Sequence, residues 1–521
     1  MNSFSLCSLR AINSFVKPLT IITMKKEISL LLSICSISMS AQTYELNLSG
    51  SQKERFGYDE KLHVTEINVS HVRHDVIKGR DRYFLCINDK EVPVTSVQDE
   101  VLLKFNCNTI QELWDSKIIS DVLPMLEDKG TQPDLRAELE NDAIEFVSKV
   151  NEYGLKFNDP YLETYIYGLL AKIVPETLID GRPCNVNLLI IQDSTPNAYI
   201  YPNGTLVITT GLLAVLHNED ELIAILSHEV AHFVLDHSIK NVNEITEREK
   251  RAVFWGAIAT SIAAIGDAVI ATNNQYYSPG AITSSVATLS AVVSNKINER
   301  LGMRYNHQQE NDADKIAVKV LELLNCDKNA LASALSRLKS SIDEERNNSS
   351  YFQSYTHPAL VERIAKAGSP TEKNDQKFEK MISFAITSSS RLKFESRRFK
   401  QAYKLVITNI NNGVATLDDY LIGAYSLLYL HNDSKNNAEV LSLIQKAKSI
   451  NSNDFNIYKI EILFNLRVDN IDKAILLLNE YKSKLNSSIE KNDNRLETPY
   501  SVFIQNEIIW TQNMITKLQS Y

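Results

Sequence analysis

A mainly α-helical chain with a small β component is what the sequence predicts, and three observations carry the prediction. Apolar residues recur at helical spacing over long stretches: from Thr109 to about Leu170, through Leu222 to Leu235, from Glu310 to Leu321, and from about residue 377 to Tyr521. Alternating or wholly apolar runs of strand length, bounded by Asn, Asp, Gly or Pro, are confined to regions near 64–105 and 186–209. Of the 521 residues, 44% are apolar, enough for real cores in about two to four domains. The formal charge of −9 comes without a basic stripe or a Gly-rich phosphate loop, which argues against nucleic acid or nucleotides as partners.

The chain opens on an expected export signal, residues 1–41. Met24-Lys25-Lys26 is a charged start, Ile28 to Ile37 a short apolar run, and Ser38-Met39-Ser40-Ala41 a small-residue cleavage site ahead of Gln42. The apolar run is too short to span a bilayer comfortably, and the residues before Met24 follow no signal pattern, so translation is expected to start there. Cys35 admits a lipoprotein reading, but Ile34 stands where a small residue should precede a lipidated cysteine.

Residues 42–130 read as a small accessory domain containing β structure. Val64 to Val69 alternates, Tyr83 to Ile87 does so in part, Asn88-Asp89-Lys90 makes a turn before Val92, and Val101 to Phe105 gives a further strand. His63, His71 and His74 sit in loop-like surroundings without an acidic or cysteine partner at metal-ligand spacing, so they are expected to be surface histidines. Cys86 and Cys107 flank the hairpin, and export permits a disulfide between them; two buried thiols explain them equally well.

The next unit, residues 131–370, holds two apolar strands, Val186 to Ile191 and Thr205 to Thr209, with a Pro202-Asn203-Gly204 turn before the second. It centres on His228-Glu229-Val230-Ala231-His232. The pattern before it is apolar at Leu222, Ile223 and Leu226, and Asn218 is a helix N-cap candidate, so the motif lies mid-helix. Histidines four apart then share a face and can reach one metal ion, while Glu229 projects beside them to take a proton from a water. A buried helix with two incidental histidines is the competing reading, and a third ligand decides between them. His237 falls off the ligand face if the helix continues, and no glycine turns the chain back; it belongs at most behind the ligands. The better candidate is Glu310 in Glu310-Asn311-Asp312-Ala313-Asp314, on a helix with Ile316, Val320 and Leu321 inward. Glu310 completes a His2Glu zinc site with an open fourth position, and Asp314, on the same face, is placed to hydrogen-bond a ligand histidine's other ring nitrogen.

These residues resemble the zinc metallopeptidases that include the CAAX prenyl protease and HtpX, particularly their periplasmic BepA-like branch. The resemblance runs from about 155 to 370, through Asn197-Ala198, Thr209-Thr210-Gly211-Leu212-Leu213, His228-Glu229-x-x-His232 with His237 trailing, Glu310-x-x-Ala313-Asp314, and Thr356-His357-Pro358 with Arg363 beyond. It departs at Ala231, where the family usually has glycine. The resemblance implies a gluzincin-type core and zinc-dependent endopeptidase activity, with one zinc on His228, His232 and Glu310 and with Glu229 as base. It further implies that His357 can approach the metal and block its open site. In proteases of this architecture an edge strand binds substrate backbone by strand addition; Tyr199 to Thr209, with Leu206 and Ile208, is the candidate edge.

Between the two metal helices, Ala252 to Thr272 is mostly apolar and Ile282 to Ile297 is rich in Ala, Ser and Val. A membrane-spanning reading competes with a packed helical hairpin that touches a membrane surface or partner; Asp267 in the first run favours the hairpin. A polar linker, Gly368 to Gln376, leads into residues 371–521. There Asp419 to Ala447 and Asn456 to Leu485 repeat as helix–turn–helix units, as in tetratricopeptide arrays with a degraded consensus, and suit protein partners; an irregular helical bundle is the competing reading. The expected protein is an exported, periplasmic or outer-membrane-associated zinc endopeptidase acting on polypeptides in envelope quality control. A chaperone-like binding scaffold with latent proteolysis, or a membrane-embedded protease, is the alternative.

Overall fold

The computed structural model describes the strands between 42 and 107, a short helical stretch within 109–114, and residues 132–175, 184–238, 305–346, 360–491 and 499–519, single positions excepted. The expected signal segment, the 252–297 insert and His357 lie outside the described residues, as do the side chains of Cys86 and Cys107. The architecture is mainly α with a small β component, as the patterning predicts.

Among the described residues six strands come first: β1 (Gln42–Asn47), β2 (Glu66–Val69), β3 (His71–Ile77), β4 (Arg80–Ile87), β5 (Lys90–Pro93) and β6 (Leu102–Cys107). They form two three-stranded sheets. In one, β6 lies between β1, antiparallel, and β2, parallel; the other is the antiparallel meander β3-β4-β5. His71 and His74 therefore stand in a strand paired with β4, not in the loop-like surroundings expected for them.

Two helices follow, α1 (Gln132–Glu152) and α2 (Pro160–Ile173). The helical pattern breaks between them because Gly154 takes a positive φ of 64° and Asp159 starts a new helix, accepting from the N–H groups of Tyr161 and Leu162 with Pro160 in the first turn. Helix α2 buries Leu162, Ile166, Leu169, Leu170 and Ile173, one stripe at helical spacing. That stripe faces a sheet of β7 (Asn187–Ile191), β8 (Ala198–Ile200) and β9 (Thr205–Thr209). Gly204, φ +79°, closes the expected turn; a Cβ there would lie 2.1 Å from the Asn185 carbonyl oxygen, so only glycine fits.

The sheet order is β7-β9-β8, which corrects one expectation. Strand β9 is the middle strand, parallel to β7 and antiparallel to β8, and its Leu206 and Ile208 are fully buried. With ladders on both sides, β9 has no backbone edge to offer a peptide. Among the described residues the side of this sheet next to the histidine helix is β8.

Helix α3 (Thr210–Leu213) is capped by the Thr209 hydroxyl. Then come α4 (Glu219–Val234), α5 (His307–Leu323), α6 (Ala330–Arg346) and α7 (Leu360–Ala367). Helices α4 and α5 pack along their lengths, with Ala231, Ala313 and Ala317 fully buried in the shared core, where small side chains permit close approach. The polar stretch after α7 is no free linker. The Lys373 carbonyl accepts from Asn218 Nδ2 at 2.8 Å, the Asp375 N–H donates to the His217 carbonyl, and Glu372 pairs with Arg337. It is laid along the start of α4.

Among the described residues eight more helices follow: α8 (Gln376–Met381), α9 (Ser383–Glu395), α10 (Phe399–Asn411), α11 (Leu417–Leu428), α12 (Ser434–Ile450), α13 (Phe455–Arg467), α14 (Ile471–Lys491) and α15 (Pro499–Gln519). Phe378, Ile382, Ala385 and Ile386 of α8–α9 join the core of the α4–α5 unit, whereas α11–α15 build their own clusters. The pairs α11–α12 and α13–α14 coincide with the two helix–turn–helix units legible in the sequence.

Candidate metal centre

Helix α4 starts where Asn218 accepts from the Glu221 N–H at 2.9 Å. Glu219, Asp220 and Glu221 occupy its first turn, favourable at the positive end of the helix dipole. Glu221 is fully buried and pairs with Arg337 Nε at 3.0 Å. Helix α5 starts with a capping box between Asn306 and Gln309. Glu310 lies in the first turn of α5, and His228 and His232 lie about two and a half and three and a half turns into α4.

The two helices bring His228, His232 and Glu310 together, with one ligand atom of each within 4.8 Å of the others; all three are buried. His228 Nε2 lies 3.0 Å from His232 Nε2 and 3.4 Å from Glu310 Oε2, and His232 Nε2 lies 3.8 Å from Glu310 Oε1. Donors on a tetrahedral zinc ion stand about 3.3 Å apart for bonds of about 2.0–2.1 Å. Two imidazole nitrogens and one carboxylate at these separations are a donor set that fits such an ion. Glu229, 2% exposed, follows His228 on α4.

Each histidine is held from behind. His228 Nδ1 contacts Asp314 Oδ1 at 2.9 Å. His232 Nδ1 lies 2.8 Å from His237 Nδ1. The helix does not continue past His232 far enough to carry His237 away: it ends at Val234, and Asp236 takes φ +54°, turning His237 back onto His232. His237 stands outside the three-residue group. Tyr305, just before α5, stacks on the His232 ring at 3.6 Å with planes 11° apart, and its hydroxyl lies 3.2 Å from Ser238 Oγ.

Electrostatics follow from burial and partners. Burial and Arg363 oppose a charge on His228, but hydrogen bonds to Asp314 and Glu310 outweigh them and raise its pKa to about 9. Asp314 is also penalised by burial, yet His228 and Arg363 hold it below the usual carboxylate range. Burial, with Glu229 and Glu310 nearby, pushes the Tyr305 hydroxyl well above its ordinary value, so it stays neutral.

Two contributors are given no place at the metal by the sequence: Arg363, which enters only as part of the resemblance, and Tyr305, which does not enter at all. Arg363 left a signal: Leu360, Arg363, Ile364 and Ala367 fall on one helical stripe, and a cation on an apolar stripe requires buried anionic partners. Tyr305 left none, since its ring meets His232 only through the packing of α4 against α5.

Residues 162–371 match the profile of Peptidase family M48. Over 212 residues the chain is 26% identical to the beta-barrel assembly-enhancing protease of Escherichia coli (strain K12), covering 40% of this chain and 39% of that protein. It is 25% identical over 235 residues to the mitochondrial metalloendopeptidase OMA1 of Schizosaccharomyces pombe, covering 45% of this chain and 60% of the relative. With the Escherichia coli metalloprotease YcaL it shares 26% identity over 185 residues, 36% of this chain and 61% of the relative. The matches thus span about two fifths to three fifths of these curated relatives. Histidines, glutamate and the helices that bear them all fall inside the matched segment, and the chain carries a Peptidase family M48 domain.

Proposed function

We propose that the chain is a zinc-dependent metalloendopeptidase, with His228, His232 and Glu310 as ligands and Glu229 as the base. The observation that carries this reading is the convergence of the three donors from α4 and α5, with Glu229 one residue from a ligand. Zinc bound there would polarise a scissile carbonyl and lower the pKa of a water. The chain's own residues do the rest. Asp314 and His237 accept hydrogen bonds from the Nδ1–H groups of His228 and His232, fixing the tautomers that turn both Nε2 atoms toward the ion. Glu229 accepts the proton of the attacking water and returns it to the departing amine.

The reading extends to an exported, periplasmic or outer-membrane-associated enzyme acting on envelope polypeptides, with α9–α15 as a tetratricopeptide-like platform for protein partners. Relatives named for β-barrel assembly support it. Among the described residues no helix is long and apolar enough to cross a membrane; the insert is assigned a peripheral contact with membrane or partner, and His357 the role of a removable fourth ligand. One observation favours the scaffold with latent proteolysis as a second reading: His228, Glu229, His232 and Glu310 are each no more than 2% exposed. Glu229→Gln separates the two. The variant is expected to keep one zinc per chain and lose casein hydrolysis by about 10²–10⁴-fold. Hydrolysis equal to wild type removes Glu229 as base, and casein left intact by zinc-loaded wild type favours the scaffold.

A further inference from the structure

One buried cation stands at the metal centre with no part in the chemistry above. Arg363, 3% exposed, is the buried residue of α7, a helix otherwise half-buried or exposed. Its guanidinium spans two carboxylates one turn apart on α5. Nε and Nη2 meet Asp314 Oδ2 and Oδ1 at 2.8 and 2.7 Å, a two-pronged fork. Nη1 lies 2.6 Å from Glu310 Oε2, an ion pair outside hydrogen-bond geometry, and Nη2 passes 3.5 Å from both ring nitrogens of His228. A planar group with five fixed donors can bridge two carboxylates in this way; an ammonium cannot hold both in one plane.

The charge count gives the arrangement a purpose. Glu229, Glu310 and Asp314 are three buried carboxylates, and with His228 neutral, as a metal-ligating imidazole must be, one guanidinium leaves two negative charges over. A divalent cation on the three donor atoms brings the cluster to neutrality, the condition under which buried charges are tolerable. Without the guanidinium the loaded site would keep an uncompensated negative charge, and Glu310 and Asp314 would repel each other along α5.

We propose that Arg363 is a positioning residue of the metal centre: it locks the glutamate ligand and the carboxylate behind His228 into one unit, so that the donor atoms are set before the cation arrives. The proposal rests on the zinc-site reading above. It assigns to α7 the task of carrying this clamp, since that helix reaches the centre through Arg363.

The test is zinc affinity, measured by chelator competition on full-length wild type, Arg363→Gln, Arg363→Lys, Asp314→Asn and the Arg363→Gln/Asp314→Asn double variant, with circular dichroism as the folding control. Arg363→Gln is expected to weaken zinc binding by about 10- to 100-fold, and Arg363→Lys, which keeps the charge but not the fork, by about threefold to tenfold. The double variant should lose less than the product of the two single losses, because both residues act through one unit. Arg363→Gln folded and within twofold of wild type overturns the proposal, as do strictly multiplicative losses. If Arg363→Gln does not fold, Arg363→Lys decides: a loss within the stated range supports the clamp, and an affinity within twofold of wild type overturns it. Wild type that takes up no zinc overturns the site reading and this inference together, whereas normal wild-type loading with unaffected variants overturns this inference alone.

Discussion

The metal centre and the C-terminal helices each bury a polar network, and the two are built to opposite ends. In the C-terminal helices, Lys459 Nζ on α13 pairs with Glu507 Oε1 on α15 at 2.6 Å, Tyr481 of α14 donates to Glu507 Oε2 at 2.9 Å, and Lys459 lies 4.7 Å from the Trp510 ring centre. One cation meets one anion. Nearer the core, Asp419 accepts from Thr387, Asn409 and both the N–H and hydroxyl of Thr416. The Lys459–Glu507 pair balances its own charge, whereas the Asp419 carboxylate is satisfied by four hydrogen bonds from neutral donors. The metal centre has three carboxylates against one arginine. A network that balances its own charges ties helices together; one left with excess carboxylate beside two imidazoles is arranged to receive a cation.

The comparison can be broken at its closed end first. Lys459→Met leaves Glu507 buried without its cation, with an expected destabilisation of about 3–5 kcal/mol in chemical denaturation and unchanged zinc content. Lys459→Met/Glu507→Gln should recover most of that loss, because an amide keeps the Tyr481 hydrogen bond without a charge. A double variant as unstable as the single one would mean that packing, not charge balance, holds these helices.

A smaller effect reports on the core between the two networks. Burial pushes the Cys184 thiol up to about 12, and it pushes Cys326 to about 12 as well, with Asp220 adding to the shift. A raised thiol pKa means less thiolate at any given pH. At pH 8, iodoacetamide should therefore leave both cysteines unmodified in the native protein and alkylate both in urea, as read by peptide mass mapping. Native-state labelling of Cys184 would show that the core around β7 opens readily.

Much of the metal centre is legible in the sequence because its signals are local. Asn218 caps α4, the histidines stand four apart, and Glu310 and Asp314 share a face of a helix with its own capping box. The same holds for the β9 turn, where Gly204 takes a positive φ. What is not legible depends on neighbours rather than on period. An apolar run such as Thr205–Thr209 announces burial, but whether its two edges are paired is settled by where β7 and β8 fall, so sequence alone places Leu206 and Ile208 on an edge that the structure does not give them. His237 turns back only because Asp236 adopts a left-handed conformation, which aspartate tolerates but does not announce. Phe378, Ile382, Ala385 and Ile386 show a helical stripe; nothing local says that it covers the peptidase core rather than the helices that follow it.

The proposed zinc site has Glu310 closing it from a helix remote in sequence. Its most direct measurement is the zinc content of wild type and Glu310→Ala after equilibration with zinc and gel filtration, with helicity checked by circular dichroism. One zinc per chain in wild type and essentially none in a folded Glu310→Ala is the predicted result. A Glu310→Ala protein that holds zinc as wild type does would contradict it.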